Sequence, residues 1–289
     1  MADMAIPMRP PESLYHQNIA EDESRSASSI NRCNVLPWII GSEEFQADPR
    51  PIEIDGVRTT DSQLFRLLKD IDDPEERSGL FQSYISTKFG PDHGSGEQSG
   101  GKPFLNYTHF LRSWGADSNG HAGAVLKAWV ESRFGLLATY HNGCLAEDAA
   151  AREGFMLDRM RGAARTIGVL MQLDLLFTYC QDELQHRFPG ARWKTLYRGT
   201  HDPEEYSIRS QADDSGAKPN RLALVQLNNL SSFTSDREVA WEFGSQVWEV
   251  QVPVSKIIFF SGLFPESLLA GESEYLVLGG YYNIRSLLY

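Results

Sequence analysis

Gly271-Glu272-Ser273-Glu274-Tyr275-Leu276-Val277-Leu278, near the C-terminus, is the stretch from which fold and chemistry are both read. Tyr275–Leu278 is apolar, with aromatic and β-branched residues, as in a buried strand. Residues two apart on a strand point to the same side, whereas on a helix they diverge. Glu272 and Glu274 are therefore expected to project together from a loop-to-strand junction. Carboxylates that close raise one another's pKa, one route to an acid/base or cation-stabilising pair. A solvated sheet edge carries the same pattern, so the pair needs partners.

Working outward, the same two-residue period recurs upstream. Trp193–Tyr197, Leu222–Leu227, Val247–Val252 and Ile257–Phe260 read as strands, with Tyr275–Leu278 and Asn283–Leu288 behind them. Before Pro189-Gly190 the apolar spacing is helical instead. Asp61 is an N-cap candidate ahead of Leu64, Leu67 and Leu68, and helices are expected over Glu75–Phe89, Asn106–Trp114 and His121–Leu137. Two more are expected within Ala146–Phe188, separated near Gly162 or Gly168. Pro51-Ile52-Glu53-Ile54 reads as a short strand. The fold class is therefore α+β, a mostly helical N-terminal half followed by a strand-rich C-terminal half. The expected division is 1–29 as a mobile arm, 30–190 as a mainly helical region and 191–289 as a strand-rich catalytic region.

Composition narrows the function classes. A net charge of −12 argues against a nucleic-acid backbone or an anionic membrane as the main partner. It leaves a nucleotide open, since one well-placed arginine holds a phosphate. The apolar run Ile167–Phe177 is too short and too interrupted to span a bilayer, and Met1–Ser29 lacks the apolar core of a signal peptide. Cys33, Cys144 and Cys180 are widely spaced with no CxxC pair, so a reduced, cytoplasmic chain without disulfides or a metal site is expected. His93–Gly101 is glycine-rich but has neither GxGxxG spacing nor a GK[ST] ending, and reads as a flexible loop. His141 and His186 read as surface or capping residues, and Cys33 as packing.

Two further stations accompany the glutamates. In Leu196-Tyr197-Arg198-Gly199-Thr200, a strand-end arginine places a fixed cationic fork beside an open glycine backbone, suited to a pyrophosphate and a flat amide. The same fragment also suits a surface arginine before a turn. In Asn228-Asn229-Leu230-Ser231-Ser232-Phe233-Thr234-Ser235, hydroxyl residues leave a strand just before an amphipathic helix with Val239, Ala240 and Phe243 expected on its inner face. Ser235 with Glu238 matches a capping box. Ser232 and Thr234 alternate on the strand and could face a cleft together.

The order Arg, Ser-x-Thr, Glu-x-Glu resembles the Arg–Ser–Glu class of mono-ADP-ribosyltransferases. Its Glu-x-Glu form is similar to the arginine-modifying branch. The class's Ser-Thr-Ser element is matched imperfectly: Ser232 and Thr234 take its first and last places, Phe233 the middle one, and Ser231 competes with Ser232. Ile30-Asn31-Arg32-Cys33-Asn34, Phe45–Val57, Tyr197–Thr200 and Asn229–Ser235 together resemble the dinitrogenase reductase ADP-ribosyltransferase family, over most of the chain after residue 29.

The resemblance implies a core of two packed, mainly antiparallel sheets around an NAD cleft. It implies NAD+ as co-substrate, bound by Arg198, Gly199, Thr200, Ser232, Thr234 and Glu274. Glu274 would be the catalytic carboxylate, Ser232 would orient it, and Glu272 would hold the target arginine. The implied protein substrate is the iron protein of nitrogenase, met by a loop over Phe260–Gly271. Phe264 is there either an exposed aromatic or a core residue. A PII nitrogen-signalling protein is implied as a further partner. NAD+ glycohydrolysis, or a non-catalytic NAD- or protein-binding role, are the competing readings.

Overall fold

The computed structural model describes residues 27–90, 106–164, 168–201, 206–210, 221–266, 268–269 and 273–287. Among these, nine α-helices precede the first strand. They are α1 (Pro37–Ile40), α2 (Glu43–Ala47), α3 (Val57–Thr60), α4 (Ser62–Leu68), α5 (Pro74–Phe89), α6 (Tyr107–Ala116), α7 (His121–Phe134), α8 (Ala149–Ala163) and α9 (Val169–Arg187). Then follow β1 (Trp193–Thr200), β2 (Ser207–Ser210), β3 (Arg221–Thr234), α10 (Arg237–Glu242), β4 (Gln246–Pro253), β5 (Ile257–Phe260) and β6 (Glu274–Leu287). The chain is α+β. The arm expected over 1–29 and the loop over His93–Gly101 lie almost wholly outside the described residues.

Helix ends follow local chemistry. Asp73 accepts the N–H groups of Glu75 and Glu76 ahead of α5, with Pro74 at the first helical position. Asn106 and Asp148 cap α6 and α8 in the same way. Helix α7 stops at Gly135, whose φ of 69° is left-handed. Two expectations fail at this level. Asp61 holds the N-cap position of α4 but makes no side-chain cap bond, its carboxylate being taken by Tyr84 and Lys88. Pro51–Ile54 makes only an isolated bridge, Cys33 to Ile54, with the side chain of Asn34 taking the Pro51 carbonyl and the Glu53 N–H.

All six strands join one antiparallel hydrogen-bonded network rather than two separate sheets. Strand β3 pairs with β2, β1 and β6; β4 lies between β1 and β6; β5 pairs with the first half of β6. The pairings β3–β1–β4–β6–β3 close on themselves. This is possible because β3 and β6 are each 14 residues long, so each half has its own neighbours. The sequence suggested two strands, Tyr275–Leu278 and Asn283–Leu288, where β6 runs unbroken. Its glycines produce a bend instead of an end: a Cβ on Gly279 would lie 1.8 Å from the carbonyl of Asn228, and Gly280 takes φ 106°. The register shifts there, between Leu227 and Leu230.

Asn228 and Asn229, at this irregularity, tie the sheet to the helices. Asn228 binds the backbone of Thr139 and Tyr140, and Asn229 donates to the carbonyls of Lys127 and Leu136. Gln46 of α2 bonds the backbone of Gln251 and Asn283, across β4 and β6. One continuous hydrophobic cluster runs from Cys33 to Ile284. Phe264 belongs to it, stacked with Phe81 and Tyr179, and is therefore a core residue. His141 is also interior: its ring lies between Lys127 and Asp158, and burial holds its pKa below the usual histidine range. His186 is partly exposed near Asp72. No helix among the described residues is long and apolar enough to cross a membrane.

Candidate active site

Three strands bring the site together at one residue, Ser232. Antiparallel pairing sets Tyr197 of β1 opposite Thr234 of β3, and Thr234 opposite Glu274 of β6. Arg198, Ser232 and Glu274 therefore lie at adjoining strand ends. Arg198 Nη1 donates to the carbonyl of Ser232 at 2.6 Å. The hydroxyl of Ser232 lies 2.7 Å from Glu274 Oε1. Main chain and side chain of one serine thus join the guanidinium to the carboxylate.

The arrangement also separates the two serines. Neighbouring residues on a strand face opposite ways. Ser231 is turned inward and donates to Asn228 O at 3.3 Å. Of the two, Ser232 is the one placed against the Glu274 carboxylate. Thr234, expected to share the cleft, uses its hydroxyl locally and accepts the N–H of Asp236 at 3.0 Å. The helix cap shifts accordingly. Asp236, not Ser235, caps α10, because its carboxylate accepts from both Glu238 and Val239. Ala240 is buried as expected, but Phe243, at the helix end, is exposed.

Gly199 answers to packing. A Cβ there would sit 2.0 Å from the carbonyl of Ala240, and one on Gly244 would sit 2.2 Å from the nitrogen of Thr200. The two glycines let the end of β1 lie against α10 and the start of β4. Thr200 is buried beside them.

Two residues that sequence reading did not single out complete the site. Tyr206 accepts from Arg198 Nη2 at 2.7 Å, with the guanidinium 5.7 Å from its ring centroid. Trp114, from α6, donates its indole N–H to Ser232 Oγ at 2.8 Å. No motif links either to its partner; an aromatic at helical spacing, as Trp114 is, reads as core. The Glu274 backbone is pinned as well, its N–H donating to Ser261 Oγ and its carbonyl accepting from Ser261 N. Glu272 lies outside the described residues, as do Gly271 and parts of the loop before it.

Arg198 offers a cationic group that suits an anionic ligand. Arg198 uses two of its donors within the protein, while its buried Nε–H has no partner among the described residues. A buried cationic donor without an acceptor is costly, and an anionic oxygen supplies one. Among the described residues no cluster of three or more His, Cys, Asp or Glu could hold a metal ion. A cavity of about 430 Å³, lined by Arg50, Arg58, Gln181 and Arg192 among others, contains none of Arg198, Ser232 and Glu274.

A strand-end arginine, a serine on the next strand and a glutamate opening a third are the arrangement expected of the mono-ADP-ribosyltransferase class. The chain matches the dinitrogenase reductase ADP-ribosyltransferase (DRAT) family over residues 30–286, and it belongs to that family. It is 36% identical over 279 residues, 93% of this chain and 99% of the relative, to the NAD(+)--dinitrogen-reductase ADP-D-ribosyltransferase of Rhodospirillum rubrum. No solved structure matches.

Proposed function

We propose that this enzyme transfers ADP-ribose from NAD+ to an arginine of the nitrogenase iron protein, dinitrogenase reductase, releasing nicotinamide. Family membership and the named relative support the reaction. The observation that carries the site is the contact of both Arg198 and Glu274 with Ser232. Residues 191–289 are read as the NAD-binding catalytic region and 30–190 as the part packed on it, in a cytoplasmic enzyme. The two ends of the closed strand network are taken to stand for the two sheets expected around the NAD cleft.

In this reading Arg198 holds the diphosphate through its guanidinium. The backbone of Gly199 meets the nicotinamide carboxamide, with Thr200 and Thr234 shaping the strand ends around it. Breaking the nicotinamide–ribose bond builds positive charge on the sugar. Glu274, ionised and held by Ser232, stabilises that charge more in the transition state than in the ground state. Glu272 holds the incoming guanidinium and removes its proton, since an arginine with pKa above about 12 is otherwise a poor nucleophile. ADP-ribose attached to the iron protein adds bulk and negative charge at its docking face, which inactivates nitrogenase. Contacts with a PII-type partner are assigned to the helical region.

Labelled NAD+, the iron protein and either the native chain or Glu274→Gln make the test. The native chain should label the iron protein, and the variant should lose about 10²–10³ of the rate or more. Equal labelling by both would remove Glu274 from the chemistry. Agmatine added to the native reaction separates transfer from hydrolysis: ADP-ribosyl-agmatine forms only in transfer.

A further inference from the structure

The indole of Trp114 fixes the direction of the hydrogen bonds that end on Glu274. An indole N–H can only donate. At 2.8 Å from Trp114 Nε1, Ser232 Oγ must therefore act as acceptor there. The serine has one hydrogen of its own, and Glu274 Oε1 lies 2.7 Å away to receive it. Both bonds are then made with Glu274 as an ionised acceptor. A protonated Glu274 that donated to Ser232 would send the serine's hydrogen elsewhere. Successive bonds of one polarity strengthen one another.

Trp114 is 4% exposed, so water does not readily replace its donor. Its position is set by the helices: α6 packs on α7, and the buried Lys127 of α7 places its ammonium 6.0 Å from the Trp114 ring. Lys127 is itself bonded to Asn119 and to the carbonyl of Tyr140. We infer that Trp114 is a positioning residue, holding Ser232 so that its hydroxyl donates to Glu274 and keeps that carboxylate ionised and aimed. This rests on the reaction proposed above. It makes the aim of the strand-borne carboxylate depend on a helix from the other half of the chain.

The test compares native protein, Trp114→Phe, Ser232→Ala and the double variant in labelling of the iron protein, with Glu274→Gln as control. Phenylalanine keeps most of the ring and removes the N–H. Trp114→Phe should lower kcat about three- to tenfold with KM for NAD+ almost unchanged. The acid limb of its pH–kcat profile should move to higher pH. The double variant should be no slower than Ser232→Ala, because Trp114 acts only through that hydroxyl. An unchanged kcat, or multiplicative losses, would overturn the inference. A second arm needs neither activity nor the Phe variant. In ¹⁵N-tryptophan-labelled protein, one of the six indole N–H resonances should move upfield in Ser232→Ala, and six unmoved resonances would overturn the inference. If the native chain labels nothing while that resonance still moves, the proposed reaction fails and the hydrogen bond stands.

Discussion

Arg198 and Glu274, 76 positions apart in the chain, are joined through a single residue: the guanidinium binds the carbonyl of Ser232 at 2.6 Å and the carboxylate receives its hydroxyl at 2.7 Å. The bond to the main chain fixes the cation relative to the backbone of β3. The bond to the side chain fixes the anion relative to the same backbone. Any shift of β3 therefore moves both charged groups together, and the spacing between guanidinium and carboxylate is preserved.

The two adjacent serines separate in a direct comparison. Ser232→Ala should cut kcat about 10- to 100-fold, since Glu274 loses its donor. Ser231→Ala should leave labelling within about twofold and cost about 1 kcal/mol of stability, from its buried bond to Asn228. Rates of iron-protein labelling, set beside urea unfolding curves, check both. The opposite order would assign the site to Ser231.

Arg198→Lys keeps the charge and loses the fork. One ammonium cannot serve the Ser232 carbonyl, the Tyr206 hydroxyl and a diphosphate along three directions. NAD+ affinity, measured by calorimetry, should fall about tenfold or more. Unchanged affinity would place the diphosphate elsewhere.

Gly199→Ala tests whether that glycine is there for packing. The added methyl meets the Ala240 carbonyl at 2.0 Å, and backbone has little room to yield. Overpacking of this kind costs about 1–3 kcal/mol or more. The urea midpoint should drop accordingly. A variant as stable as the native chain would show that β1 and α10 move apart freely.

Lys256 gives a pH dependence. Its ammonium is fully buried, 4.4 Å from the Tyr282 ring centroid and 5.8 Å from that of Phe45, and without a hydrogen-bond partner among the described residues. Burial pushes its pKa down to about 7. In the unfolded chain the value is about 10.4, so between the two the unfolded state binds more protons. Stability should therefore rise with pH from about 7 to about 10, this residue contributing up to about 1.4 kcal/mol per pH unit. Below about pH 7 both states hold the proton and the contribution is flat. Lys256→Met should be more stable than the native chain at neutral pH, and the difference should shrink by about pH 9. Urea unfolding of both proteins at several pH values measures it. A difference that does not vary with pH would place the native Lys256 in an environment open to water.

Local chemistry was enough to mark much of the framework. The apolar spacing behind Asp73-Pro74 delimits α5, and two-residue alternation marks β1 and β4 to within a few residues. It was not enough where two local solutions compete. Ser235 and Asp236 can each cap a helix, and the carboxylate, accepting two N–H groups, holds the position. Two strands were expected, Tyr275–Leu278 and Asn283–Leu288, yet hydrogen bonds to neighbours on both sides carry β6 through the glycines between them.

The sequence by itself placed a strand-end arginine, a hydroxyl pair and a glutamate at a strand start in that order along the chain, and a family resemblance made them the candidate site. Their places on strands follow from the short-range periods of strand and helix. Only the tertiary structure decided that Ser232 rather than Ser231 faces Glu274, that Gly199 yields its space to Ala240, and that Trp114 and Tyr206 join the site. A two-residue period leaves open which face is inward. Which distant donor meets which acceptor is settled by strand register and by helices packing on the sheet, interactions between residues far apart in the chain that no local pattern encodes.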